Sequence, residues 1–342
     1  MYHLINTDSS TFSEDHWRSF CDLLKMLHER YGSVHTLTSW EDLRDQQFRF
    51  QKDNPGYRRV VVFDGAKAIA WAEVNVRNPG TENTAAHVAL DALFEKIPDA
   101  IIRPAADFMA KQLAAFRCDD AHMMSVDPRQ ITVARRLEAE ELGVLNQYVL
   151  HRDRTEHDRI KAWLDRVPGE NPDLHLEFFT EIPQEHVDAY AELLTYCLQA
   201  MPEQRAGGVS FHVSPEEIQQ RNERMREGPT VLYSGIAFDS ERSMAAMTFC
   251  YVSRKAPEEV HQYMTGVRES HRGRGLAKWL KSALFLKLAE DFPENERLVT
   301  WIRAINDPML HINEQMGYVL EREGFEFNIT RRQLEEYGQY GF

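Results

Sequence analysis

Apolar positions along the chain change rhythm several times, and each change predicts an element. Trp17, Phe20, Cys21, Leu24 and Leu27 fall at helical spacing and predict an amphipathic helix; a more polar helix follows around Trp40 to Phe50. The period then drops to two. Val60-Val61-Val62-Phe63 and the run Ala68 to Val76 read as strands, and Asp64-Gly65 between them is a hairpin signal. A strand at His87-Val88-Ala89-Leu90, a helix from about Ala100 to Phe116, a strand at His122 to Val126 and a helix running to Leu142-Gly143-Val144 complete this half.

The second half repeats the order. His175 to Phe179 predicts a strand, and Val187, Tyr190, Leu194, Cys197 and Met201 form one helix face. Ser214 reads as the N-cap of a helix through Arg226, and strands follow at Val231 to Phe238, Met244 to Val252 and Val260 to Val267. Recurrence of one element order indicates an internal repeat. The expected division is a first copy over 1–152, a charged linker around one short helix, carrying Pro168-Gly169 and Asn171-Pro172, over 153–172, and a second copy over 173–342.

The 342 residues suffice for two such cores. Composition narrows the partners. A formal charge of −14, with the basic residues scattered, argues against a nucleic-acid surface and favours a cationic substrate. No leader pattern and no long apolar segment point to a cytoplasmic protein without a membrane partner. Cys21, Cys118, Cys197 and Cys250 lack metal-ligand spacing and read as reduced structural thiols; no metal is expected.

The candidate chemistry gathers at Thr265-Gly266-Val267-Arg268-Glu269-Ser270-His271-Arg272-Gly273-Arg274-Gly275-Leu276-Ala277-Lys278. An apolar run ends at Val267, while Leu276, Leu280, Ala283 and Leu284 continue at helical spacing, so this is a strand, a glycine-bearing loop and a helix start. Free N–H groups at a helix start, approached over glycines that carry no Cβ, suit an anion. Neither the nucleotide P-loop pattern nor the dinucleotide Gly-x-Gly-x-x-Gly is present.

What stands there is Arg-x-x-Gly-x-Ala, over Arg272 to Ala277. With the strand Leu298-Val299-Thr300-Trp301-Ile302, then Asn306, Asn313 and Met316-Gly317-Tyr318, it resembles the acyl-coenzyme A signature of the GNAT N-acetyltransferases. The resemblance implies an α/β (α+β) fold of two GNAT-like domains in tandem, each a twisted mixed, mainly antiparallel sheet flanked by helices. The matching place in the first copy, Ala92-Leu93-Phe94-Glu95-Lys96-Ile97-Pro98, holds no glycine, so that copy is expected to be degenerate and without a coenzyme loop.

The resemblance further implies acetyl-CoA as acyl donor. Backbone N–H groups of Gly273, Arg274, Gly275, Leu276 and Ala277 would cradle its pyrophosphate. Arg268, Arg272, Arg274 and Lys278 either add positive potential there or are solvated surface charges. Thr265 and Val267 would offer a strand edge to the pantetheine amides, and the Val267 N–H an oxyanion donor. Gly266 either permits a bulge that splays the strands or serves packing. Asn306 either contacts the arm or caps a helix.

For the base, counting eleven residues back from Arg272 to the family's carboxylate position gives His261, with Glu258 and Glu259 as neighbouring alternatives. A histidine with a reference pKa of about 6.5 is partly deprotonated at neutral pH. The family's proton-donating tyrosine falls at Asn313, which supplies no proton; a thiol with a pKa of about 8.5 leaves tolerably without one. The expected activity is direct acetyl transfer, in a ternary complex, to a small primary amine, with the first copy shaping the acceptor cleft or a homodimer. A non-catalytic acyl-CoA sensor is the alternative.

Overall fold

Alternation along Ala70–Val76 organises the first sheet: Ala70, Ala72, Val74 and Val76 are buried on one face, while Trp71, Glu73 and Asn75 turn to the other and are half-buried; a bulge at Ile69 shifts the register, so that Ala68 joins the Trp71 face. The structure is a computed structural model and describes residues 2–31, 39–81, 84–201, 212–254 and 256–339, without the side chains of residues 53 and 227. It divides into two compact units, Met1–Val144 with Gly324–Phe342, and Leu145–Glu323.

The first unit contains β1 (Tyr2–Asn6), α1 (Glu14–Tyr31), α2 (Trp40–Asp53), β2 (Tyr57–Asp64), β3 (Lys67–Arg77), β4 (Ala85–Ala92), α3 (Asp99–Ala115), β5 (Asp120–Ser125) and α4 (Pro128–Arg136). Gly65, at φ 60°, makes the expected hairpin turn between β2 and β3. Ser39 caps α2 by accepting from the Asp42 N–H. Helix α3 packs Ile101, Ile102, Ala105 and Met109 onto the Ala70–Val76 face, and α1 covers Val61 and Phe63 with Trp17, Phe20 and Leu23. These are the unit's two apolar layers.

Two expectations change here. Helix α4 ends at Arg136, and Leu142-Gly143-Val144 belongs to a long strand, β6 (Glu140–His151). The short helix expected within the 153–172 linker is present as α5 (His157–Glu170), but its Ile160, Trp163 and Val167 are buried in the core of the second unit, so the stretch is part of that unit and not a connector. Three apolar positions at i, i+3 and i+7 explain why it folds onto that core.

The second unit continues with β7 (His175–Phe179), α6 (Val187–Gln199), α7 (Pro215–Glu227), β8 (Thr230–Phe238), β9 (Met244–Ser253), β10 (Ala256–Val267), α8 (Leu276–Asp291), β11 (Arg297–Arg303), α9 (Asp307–Met316) and β12 (Val319–Arg322). A reciprocal Ser214–Glu217 capping box starts α7 where the sequence places it. One face of this sheet packs under α6 and α7 and the other under α5 and α8.

The chain then returns to the first unit as β13 (Phe325–Thr330) and α10 (Arg331–Gln339). The strand order in the first unit is β1-β2-β3-β4-β5-β13-β6, and in the second β7-β8-β9-β10-β11-β6-β12. Both are mixed sheets with one parallel pair, β4–β5 or β10–β11, among antiparallel ones. The sixth place in each order is filled from the other half of the sequence: β13 in the first unit, and the second half of β6, paired with β11, in the second. The units therefore do not divide at 152 and 173, because strand pairing assigns 145–151 to the second unit and 324–342 to the first.

Candidate active site

Strands β10 and β11 pair only over Glu259–His261 and Arg297–Val299. Beyond that, β10 runs on to Val267 against β9, and β11 runs on to Arg303 against β6, leaving a fork between them. In an antiparallel pair, successive residues turn their backbone groups alternately toward and away from the partner. The Arg268 N–H donates to the Ala245 carbonyl across 2.9 Å, so Val267 and Thr265 turn theirs away from β9, into the fork.

The register shift in β10 lies between Gln262 and Met264, which makes Tyr263 the bulged residue. Gly266 stays in register with Met247; a Cβ there would come within 2.2 Å of Cys197 Sγ, so this glycine lets α6 approach the sheet. Of the two readings of Gly266, the geometry shows packing. All four cysteines are free and buried. Burial pushes the Cys197 thiol up to about 12.

The loop after β10 closes onto α8 through two left-handed residues, Gly273 at φ 78° and Gly275 at φ 81°. Both need glycine, since an L side chain is strained there. The first bond within α8 runs from the Trp279 N–H to the Gly275 carbonyl, so the amides of Leu276, Ala277 and Lys278 precede any helical partner. Left-handed turns at a helix start gather N–H groups into an anion-binding nest.

The basic side chains around this nest already have partners. Arg274 donates to Asn171 Oδ1 at 2.7 Å and to both Asp173 oxygens at 2.6 and 2.8 Å. Arg268 bonds the Met244 carbonyl and Glu192, Arg272 reaches the Val267 carbonyl and the Tyr196 hydroxyl, and Lys278 lies 5.0 Å over the Trp163 ring. The backbone, not the side chains, is what the loop leaves available. Asn306 precedes α9 without a side-chain capping bond.

At the closed end of the fork, His261 lies opposite Val299, and its Nε2 is 3.1 Å from Glu259 Oε1; Arg297 holds the other Glu259 oxygen at 3.1 Å. A carboxylate that fixes the imidazole in this way orients its ring. Next to it, Gln262 turns to the α8 side, where its Oε1 accepts from Lys281 Nζ and, at 3.0 Å, from the Tyr318 hydroxyl. Gly317, at φ 98°, ends α9 and makes the turn that places Tyr318.

Lys281 is 3% exposed, and no carboxylate among the described residues pairs with it. Burial alone lowers its pKa to about 7. Asn313 on α9 is fully buried, and among the described residues neither its Oδ1 nor its Nδ2 has a hydrogen-bond partner. An unsatisfied buried amide is costly, so this one stands out. Lys281 and Gln262 were not singled out in the sequence; the one signal was a lysine inside the apolar run of α8.

No protein-family model matches the sequence, and no curated protein does. Solved structures do. A tandem GNAT protein from the clavulanic acid biosynthesis pathway, solved without acetyl-CoA, superposes with a TM-score of 0.73 at 17% identity, over 97% of this chain and 99% of that one. The fold is a tandem GNAT fold. A GCN5-related N-acetyltransferase from Sphaerobacter thermophilus gives 0.64 at 10% identity, over 96% of both chains. A GCN5-related glucosamine N-acetyltransferase region of a fungal multi-domain β-N-acetylglucosaminidase gives 0.63 at 12% identity, over 96% of this chain and 38% of that one. The Gly273–Gly275 loop and the β10–β11 fork both lie in the second unit.

Proposed function

We propose that the chain is an acetyl-CoA-dependent N-acetyltransferase whose second unit transfers the acetyl group directly to a small primary amine, cationic in water, in a ternary complex. The observation that carries this reading is the left-handed Gly273–Gly275 nest opening onto a strand fork whose edge presents the Thr265 backbone and the Val267 N–H. The nest suits a pyrophosphate, the edge suits the pantetheine amides, and the unsatisfied Asn313 amide suits a polar atom of the arm or the sulfur. When bound, acetyl-CoA supplies an activated acyl group on a good leaving thiol.

The chain's own residues supply the rest. His261, oriented by Glu259, takes the proton that the amine sheds, and the Val267 N–H, turned into the fork, donates to the oxygen on which charge develops. Gln262, held by Lys281 and Tyr318, fixes β10 beside the bulge. No proton donor is assigned at Asn313. The first unit contributes no coenzyme seat, since the stretch between β4 and α3 holds no glycine and Pro98 caps α3 without an N–H.

Calorimetric titration of acetyl-CoA tests the reading, with Gly275→Glu as the variant. The parent binds at one site per chain. The variant loses binding altogether, because its carboxylate would stand in the nest and its Cβ, 3.0 Å from Val167 Cγ2 in a left-handed conformation, distorts the loop. Two sites per chain, or an unaffected variant, would refute it.

A further inference from the structure

Arg221 on α7 is 8% exposed, and among the described residues its Nε and Nη2 are both buried without a hydrogen-bond partner. Its guanidinium lies 5.1 Å from the Tyr190 ring centre and 5.9 Å from that of Phe249. Ring faces offset part of the cost of a buried cation but satisfy no N–H donor in the guanidinium plane. Arginine keeps its proton in proteins, so this group cannot lower the cost by neutralising. Among the described residues, Nε and Nη2 are the two donors left without an acceptor.

The surroundings put Arg221 on the same face of the sheet as the candidate base. Phe249 stacks on Tyr263 at 6.1 Å, and Tyr251 meets Tyr263 edge-on at 5.2 Å. Tyr263 is the bulged residue of β10 and is 66% exposed. Tyr251 stands directly opposite His261 in the β9–β10 register, so both side chains leave the same face of the sheet, the one that α6 and α7 cover. Burial raises the Tyr251 phenol's pKa, and the charge of Arg221 and a side-chain hydrogen bond with it pull it back, which leaves Nε and Nη2 unmet. Arg221, the tyrosines and His261 thus share one face, at the point where the fork opens.

Nε and Nη2 lie on one edge of the guanidinium and present two parallel donors, a spacing that matches the two oxygens of a carboxylate. We propose that the acceptor amine also carries a carboxylate, which Arg221 holds through Nε and Nη2 while the amine faces His261. This rests on the acetyl-transfer reading and names its substrate class: an amino acid or a close analogue. A zwitterion has no net charge, so the formal −14 of the chain does not repel it.

The test uses the unaltered full chain with acetyl-CoA, following thiol release with matched acceptors: amino acids, their C-terminal amides and the corresponding aminoalkylphosphonates. Acetyl-CoA titration on the same preparation reports the coenzyme seat separately. The acids should exceed the amides by about 100-fold or more in kcat/KM, because an amide offers one oxygen and no charge to two buried donors. Arg221→Gln should erase that ratio chiefly through KM, and Arg221→Lys should restore part of it. If Arg221→Gln does not fold, the ratio in the unaltered protein decides alone. Amides reacting as well as acids, or phosphonates preferred, would overturn the carboxylate assignment and leave acetyl transfer standing. Coenzyme binding without turnover of any amine would overturn both.

Discussion

The two units build the same fork and finish it in opposite ways. In the first, β4 and β5 pair at His87 and His122 and then part, as β10 and β11 do in the second. Arg129, from the first turn of α4, bridges this opening: its Nη1 donates to the Ala92 carbonyl at 2.5 Å and the Phe94 carbonyl at 3.2 Å, and its other nitrogens bond Asp127 and Asp91. All three charged side chains are buried. The second fork contains no such bridge among the described residues; it ends in the glycine nest, and the helix after β11 carries the unsatisfied Asn313. One copy satisfies its fork internally, and the other leaves donors unmet. A buried donor left unmet calls for a physical explanation.

Breaking the bridge should have the largest effect on stability. Arg129→Ala strands two buried carboxylates and should lower unfolding stability by about 3–5 kcal/mol, measured by urea denaturation, while acetyl-CoA affinity stays unchanged. A weakened affinity would mean that the first copy takes part in coenzyme binding.

Lys281 gives the next largest effect, of opposite sign. Its folded pKa of about 7 lies below the unfolded value of about 10.4, so unfolding takes up a proton between those limits. Stability from this group is therefore lost as pH falls from about 10 to about 7, and it does not change further below that. Lys281→Met should stabilise the protein by about 1–4 kcal/mol at pH 7 and by little at pH 10.5. Thermal unfolding at the two pH values checks this; an equal gain at both would mean that the lysine is not held neutral by burial.

The smallest effect distinguishes a ligand site from a packing defect. Asn313→Leu removes two unmet polar atoms and should stabilise the ligand-free protein by about 1–2 kcal/mol, while lowering the gain in melting temperature that acetyl-CoA confers. If the coenzyme stabilises parent and variant equally, Asn313 does not touch it.

What could be read from the sequence was what is local. The Asp64-Gly65 turn, the Ser214 cap and the strand–glycine–helix junction at Val267 to Leu276 depend on neighbours within a few residues, and each lies where it was expected. Leu142-Gly143-Val144 is a short apolar run that fits strand or helix, and only β11 and β13, more than 150 residues away, decide for strand. Arg221 looks like any arginine on a polar helix until tertiary packing buries it. The linker misled because its charges surround three apolar positions whose partners lie elsewhere in the chain.

The position of β13 bears on how the protein is made. It lies in the interior of the first sheet, between β5 and β6, yet it leaves the ribosome after every strand of the second sheet. Emergence proceeds from the N-terminus, and domains ordinarily complete in that order. Here the half with the glycine nest has all its strands by residue 322, while the half synthesised first waits with β5 lacking its neighbour. An unpaired strand invites wrong partners during that wait. The order of completion is thus the reverse of the order of synthesis, and a nascent chain stalled before Phe325 would carry a finished second copy and an open first one.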